Sequence, residues 1–270
     1  MMRWIISLLC VLLVLCAPAP VIAQEAETPE ITDEQLQQGD ELAQKALEAT
    51  EKGNFTTAEN YWTQLINVFS SNPAVWSNRG NSRVSQNKLD EAITDYNQAI
   101  ELAGDAPDPY LNRGTAYEKQ QRWEKALADY NRVLELNPED AMAYNNRGNA
   151  KAGQGRWEEA IADYQKAAEI APTDFAFARG NAALALYQTG EKEQALRKMR
   201  NLVRKYPMFP DMRAALSAVL WEQGDQGEAE SNWVAAMGID SRYQNLDWVE
   251  NIRRWPPQMV AALEKFINFQ

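Results

Sequence analysis

The chain has 270 residues and a net charge of −11, from 27 Lys and Arg against 38 Asp and Glu. Hydrophobic residues make up 45% of it, nine Trp among them, which is material for a core and excludes disorder over most of the length. The acidic balance, with no Lys/Arg cluster evident, speaks against a nucleic-acid partner, because phosphate contacts need grouped cations. Histidine is absent, and both cysteines, Cys10 and Cys16, lie near the N-terminus. The body of the chain therefore has no Ser–His pair, thiol nucleophile or His/Cys zinc site. No GxxxxGK[ST] loop offers itself to a phosphate, and neither a metal nor a cofactor is expected.

Residues 1–23 read as an export signal. Arg3 supplies the positive start, Trp4 to Cys16 form an apolar run of 13 residues, and Val21-Ile22-Ala23 fits cleavage before Gln24. The run is short for a membrane span, so membrane contact is expected only through a partner or an uncleaved signal. The acidic stretch 24–38 reads as a solvated linker.

From residue 39 the chain repeats itself. Gly80, Gly114 and Gly148 are spaced by 34, and Ala58, Ala92, Ala126 and Ala160 keep the same period. The period predicts six units, 39–72, 73–106, 107–140, 141–174, 176–209 and 210–243, with Phe175 inserted. Each unit carries two amphipathic helical runs. In the fourth, the first run stops at Gly155; the second has Ala160, Ile161, Tyr164, Ala167 and Ala168 on one apolar stripe, and Pro172 blocks its continuation. Small residues such as Gly148 and Ala160 stand where paired helices must approach. Arg79, Arg113 and Arg147 precede Asp95, Asp129 and Asp163 by sixteen residues, which predicts a ladder of ion pairs between helices. In the fifth unit ARGN (178–181) falls three residues early and predicts a first helix one turn longer. Beyond Arg242, LDWVENIRRW predicts a short helix capped by Asp247, with Trp248, Val249, Ile252 and Trp255 on one side. Pro256-Pro257 then start a second helix with Met259, Val260, Leu263, Phe266 and Ile267 as its stripe. Residues 244–270 are expected to cap the array; a docking patch of Arg242, Arg253, Arg254 and Trp255 is the alternative.

This pattern resembles the tetratricopeptide repeat family. In 73–174, Trp76, Tyr110 and Tyr144 stand four residues before the glycines, and Ala92, Ala126 and Ala160 twelve after; Pro138 and Pro172 close two units. The other units match less well, with Ala46, Ala183 and Ser217 in place of the glycine. The resemblance implies an all-α fold, a right-handed superhelical solenoid of helix-turn-helix repeats with a C-terminal capping helix, and a non-enzymatic scaffold for protein–protein interaction. With the export signal and the WV…IRRWPP ending, the chain is similar to lumenal tetratricopeptide proteins of cyanobacterial and chloroplast thylakoids. That narrower resemblance implies a thylakoid lumen or periplasm and help in assembling membrane complexes.

In that family the first helix of each repeat lines a concave groove. The matching positions here are Asn78 and Asn81, Asn112, Asn145, Asn146 and Asn149, and Asn181, with Ser77, Leu111 and Thr115 beside them. A side-chain amide accepts from a peptide N–H and donates to its C=O at once, so the row suits a protein or extended peptide held by its backbone. The competing reading has these Asn solvating the surface or capping local backbone. The groove lacks the Lys and Arg set with which chaperone-tail-binding relatives clamp a terminal carboxylate, so no such adaptor is expected. A structural homo-oligomer joined through apolar ends is the alternative function. A carboxylate-based hydrolase would need two facing acids in a pocket, and Glu124, Glu158 and Glu159 occupy surface places instead.

Overall fold

Thirteen α-helices make up nearly all of the computed structural model, which describes residues 31–171 and 176–269. Residues 1–23, expected to be an export signal, residues 24–30, Pro172 and Phe175 lie outside the described residues. The first twelve helices form six pairs: α1 (Asp33–Glu51) with α2 (Phe55–Val68), α3 (Pro73–Ser85) with α4 (Leu89–Leu102), α5 (Pro107–Lys119) with α6 (Trp123–Leu136), α7 (Ala141–Gly153) with α8 (Trp157–Ile170), α9 (Ala176–Gln188) with α10 (Lys192–Lys205), and α11 (Pro210–Glu222) with α12 (Gln226–Ile239). Each helix packs on the one before and the one after it, so the pairs stack in chain order into a right-handed solenoid.

The turn inside each repeat needs one residue in the left-handed region. Gly155 takes it at φ 76°, while Asn87 (61°) and Gln121 (58°) do so with side chains attached. The helices of a pair close up at the recurring glycine. A Cβ on Gly148 would lie 2.6 Å from the Tyr164 ring, and Gly80 and Gly114 stand in the same relation to Tyr96 and Tyr130.

One local expectation is corrected at the N-terminal end. Residues 33–38, read as linker, are helical. Thr32 caps them: the Gln35 N–H donates to Thr32 Oγ1 at 3.2 Å and the Thr32 N–H to Gln35 Oε1 at 2.9 Å. The Thr-x-x-Gln spacing that makes this capping box is present in the sequence. In the fifth repeat the described part of α9 begins at Ala176 and ends at Gln188, two residues before the left-handed Gly190, as α7 ends two residues before Gly155. By that register Gly180 is not the counterpart of Gly148. It faces Phe209 and Met212 of the next repeat, and Ala183 holds the packing position. Asn181 falls into the register of Asn146.

After α12 the chain makes a 3-10 turn (Ser241–Gln244), a π-helical turn (Trp248–Ile252) and α13 (Pro257–Asn268). Asp247 does not cap the π turn. Asn245 Oδ1 accepts from the Trp248 N–H, Asp247 accepts from Asn251, and Ile252 is exposed. Helix α13 buries Met259, Leu263 and Phe266 against α11 and α9. Those two helices already meet α10 and α12 on their outer side, so α13 lies on the inner face of the last two repeats. Phe266 makes edge contacts with Trp221 (5.5 Å between centroids) and Trp233 (5.3 Å). The expected cap is present, but what it covers is the inner wall.

Candidate functional site

The inner wall is formed by the first helix of each repeat, and its polar side chains divide between holding the scaffold and facing solvent. The arginines belong to the scaffold. Arg147 donates to Asp163 through Nε (2.9 Å) and Nη2 (2.7 Å), and through Nη1 to Asn131 of the preceding repeat (2.9 Å). Arg113 does the same with Asp129 and Asn97, and Arg79 with Asp95 and Thr63. Each guanidinium also lies over the aromatic four residues before the glycine, at 5.0 Å from Trp76, 5.6 Å from Tyr110 and 5.2 Å from Tyr144. The predicted ion-pair ladder is thus formed, and its forked geometry sets helix register within and between repeats.

The seven asparagines do not all do the same thing. Asn81 accepts from the Tyr96 hydroxyl (2.8 Å) and Asn149 from that of Tyr164 (3.0 Å). Burial and the neighbouring Asp95 carboxylate push the Tyr96 hydroxyl up, which keeps it a donor. Asn181 Nδ2 donates to Asn145 Oδ1 (3.1 Å) and Asn149 Oδ1 (3.3 Å), and the buried Asn145 donates to Asn146 Oδ1 (3.2 Å). These amides form a small closed network at the junction of repeats four and five. The half-buried Asn78 and Asn112 have no side-chain hydrogen bond among the described residues, and neither has the buried Ser77 Oγ beside Asn78. Asn78, Asn112, Asn146 and Asn181 occupy one register position on α3, α5, α7 and α9.

At its far end the row is closed by the C-terminal segment. Arg253 and the Trp255 indole both bond to the buried Asp211. Arg254, in the left-handed region at φ 55°, reaches across to α5. Its Nη1 donates to Glu118 Oε1 (3.1 Å), its Nη2 to the Glu118 carbonyl (3.3 Å), and it lies 5.5 Å over Trp123. Burial pushes the Glu118 carboxyl up, partly offset by the Tyr130 hydroxyl and the Arg254 charge. Arg242 pairs with Asp240 and stacks on Trp248. All four residues of the expected docking patch are thus engaged within the chain. The contact between Glu118 and Arg254 joins residues 136 apart, and no sequence spacing announces it.

The absence of a Lys/Arg cluster is also corrected. Helix α10 carries six Lys and Arg against one Glu, with Arg197, Lys198, Arg204 and Lys205 on a single face. Their i, i+1, i+7, i+8 spacing was the available signal.

A stacked array of short helix pairs, with a tight left-handed turn in each pair and small residues at the crossing, defines an α-solenoid scaffold. Sequence profiles described as "Tetratricopeptide repeat" and "TPR repeat" match residues 111–175 and 181–241, and 80–121, respectively. The chain belongs to the tetratricopeptide repeat family. Over 63 residues it is 36% identical to Hsp70-Hsp90 organizing protein 2 of Arabidopsis thaliana, a match spanning 23% of this chain and 11% of that protein. Among solved structures, a tetratricopeptide repeat protein from Parabacteroides merdae superposes with a TM-score of 0.61 at 21% identity, covering 86% of this chain and 99% of the other. YrrB, described as a tetratricopeptide protein with an unusual peptide-binding site, superposes at 0.53 with 18% identity over 76% of this chain and 97% of its own. At these identities the structural likeness establishes the fold.

Proposed function

We propose that the chain is a non-enzymatic scaffold that holds an extended segment of a partner protein along the inner face of repeats two to four. The carrying observation is the pair of half-buried amides there, Asn78 and Asn112, which stand at one register and have no side-chain hydrogen bond among the described residues. A side-chain amide both donates to and accepts from a peptide backbone, so a segment laid along the row would pair with them. Asn146 continues the row, while Asn81, Asn145, Asn149 and Asn181 hold its floor and far end. The register repeats with the scaffold, so the spacing of contacts along the bound segment follows the repeat. Interaction roles in tetratricopeptide relatives, including the peptide-binding site ascribed to YrrB, support this reading.

The reading includes export through residues 1–23 to a thylakoid lumen or periplasm, and help there in assembling membrane complexes. No described helix is long and apolar enough to cross a membrane. The test replaces Asn78, Asn112 and Asn146 together by Ala. Helicity by circular dichroism should be unchanged, and crosslinked partners recovered from the native compartment should fall to background. Unchanged recovery would sink the groove reading.

A further inference from the structure

Outside the groove, one surface differs from the rest of the molecule in charge. On α10, Ala195, Leu196, Met199 and Leu202 are buried, and Arg197, Lys198, Asn201, Arg204 and Lys205 recur at i, i+1, i+4, i+7 and i+8 on the opposite side. On the inner helices Arg79, Arg113, Arg147 and Lys151 each hold an Asp. On α10 only Lys192 and Arg200 are so held, by Glu222 (3.0 Å) and Glu228 (2.6 Å). Arg197, Lys198, Arg204 and Lys205 form no ion pair with the described residues. In a chain of net charge −11, four cations without an ion pair among the described residues lie on one helix face and repel one another.

This stripe borders two concavities. A cavity of about 370 Å³ between α8, α9 and α10 is lined by Tyr164, Arg179, Lys198, Asn201 and Lys205, with Glu169 as its one acid. A second, of about 540 Å³, lies where α9, the loop after α10 and the C-terminal turns meet; Phe177, Lys205, Tyr206, Met208 and Trp248 line it. Lys205 lines both. Phe177, edge-on to Phe209 at 5.5 Å, and Met208 stand at the second with 59% and 73% of their surface exposed.

We propose that this outer face is a second docking site, and that it takes an acidic protein segment bearing bulky apolar side chains. Carboxylates of the segment would meet the Lys198–Lys205 row, and an aromatic or long aliphatic side chain would enter the cavity between Phe177 and Met208. Charge complementarity selects the sign of the partner, and the shape selects its kind. The stripe is one helix wide, its exposed cations following the axis of α10. A flat anionic bilayer or a nucleic-acid duplex spans several helices, whereas a single extended chain can follow one. Cavities of this size accept side chains.

The test is fluorescence anisotropy with the full chain. The probe is a labelled ten-residue peptide of eight Glu and two Phe, compared with the same peptide carrying Lys for Glu, one carrying Ala for Phe, and phosphatidylglycerol vesicles. The Glu/Phe peptide should bind, weaken at least tenfold in the Lys198→Glu/Lys205→Glu variant and in raised salt, and weaken when Met208 becomes Asp. The triple Asn→Ala groove variant should bind it as well as the unaltered chain does, which separates this site from the inner face. Absence of binding, equal binding by the double variant, or equal binding of the Lys peptide would overturn the proposal. Binding of vesicles but not peptide would overturn it in favour of a lipid surface. Self-association lost in the double variant, without peptide binding, would overturn it in favour of a second copy of this chain.

Discussion

Repeats two to four and repeats five and six are built on the same period but solve different problems. In the former, the inner-face positions hold mainly Asn, Ser and Thr, the helices are held in register by Arg–Asp forks, and the apolar residues of repeats two and three form small separate clusters. In the latter, Asn181 keeps its amide but the other equivalent places hold Gly180, Leu184, Ala214, Ala215 and Ala218, all buried, and one continuous cluster runs from Ala160, on the second helix of repeat four, to Phe266. A helix that is apolar on every side needs cover on every side. Helices α9 and α11 obtain it from α13, and the open groove ends where that cover begins. A solenoid can thus assign ligand binding to one stretch and cohesion to another by changing a few inner-face positions.

The strongest test of this division is Phe266→Ala. Removing a fully buried ring set between Trp221 and Trp233 should cost about 3–5 kcal/mol. The loss should fall on repeats five and six. In a urea titration, tryptophan emission should then change before the far-ultraviolet helical signal, as α13 lifts away while repeats two to four persist. A single coincident transition would mean that the two regions are one cooperative unit.

Acid should strike the other region first. Glu59 on α2 is tied to repeat two by Lys88 (2.7 Å), Gln86 (2.8 Å) and Arg83 (2.9 Å). Burial alone would raise its pKa, but these bonds outweigh it and lower the carboxyl from 4.5 to about 2. A lowered folded pKa means stability that is present above pH 4.5 and is lost as the pH falls toward 2. Glu118, whose carboxyl is raised, has the opposite sign: its contribution is present at low pH and lost as the pH rises through its folded pKa. Hydrogen exchange should therefore quicken in α2 to α4 before α13 over that window, and Glu59→Gln should remove the difference.

The smallest expected effect is at the turn of the third repeat. Gln121 holds φ 58° where Gly155, Gly190 and Gly224 hold the same place without a side chain. Relief of the left-handed strain, less the entropy of glycine, should make Gln121→Gly more stable by about 0.5–1 kcal/mol, read as a rise in melting temperature.

Much of this was legible from residue types and spacing. The 34-residue period located the helix pairs, the glycines marked the crossings, and the sixteen-residue Arg–Asp interval announced the ladder. Less of the candidate site was legible, because amides at one register look alike in sequence. Asn81 and Asn149 are committed to tyrosine hydroxyls and Asn145 to its neighbours, while Asn78 and Asn112 are open. In the fifth repeat the string ARGN repeats the letters of the motif but not its place, and the distance back from Gly190 gives the register.

By itself, then, the sequence determined the local units: which stretches are helical, where each turns, and which faces must be buried. Periodicity and turn chemistry act over a few residues, so they are readable in order along the chain. Only the tertiary structure decided where the C-terminal helix goes and which asparagines stay free. The all-round apolar character of α9 and α11 required a cover without saying which segment supplies it. That choice rests on Phe266, Trp255 and Arg254 finding partners in other repeats, and contacts between such distant residues leave no pattern in the linear text.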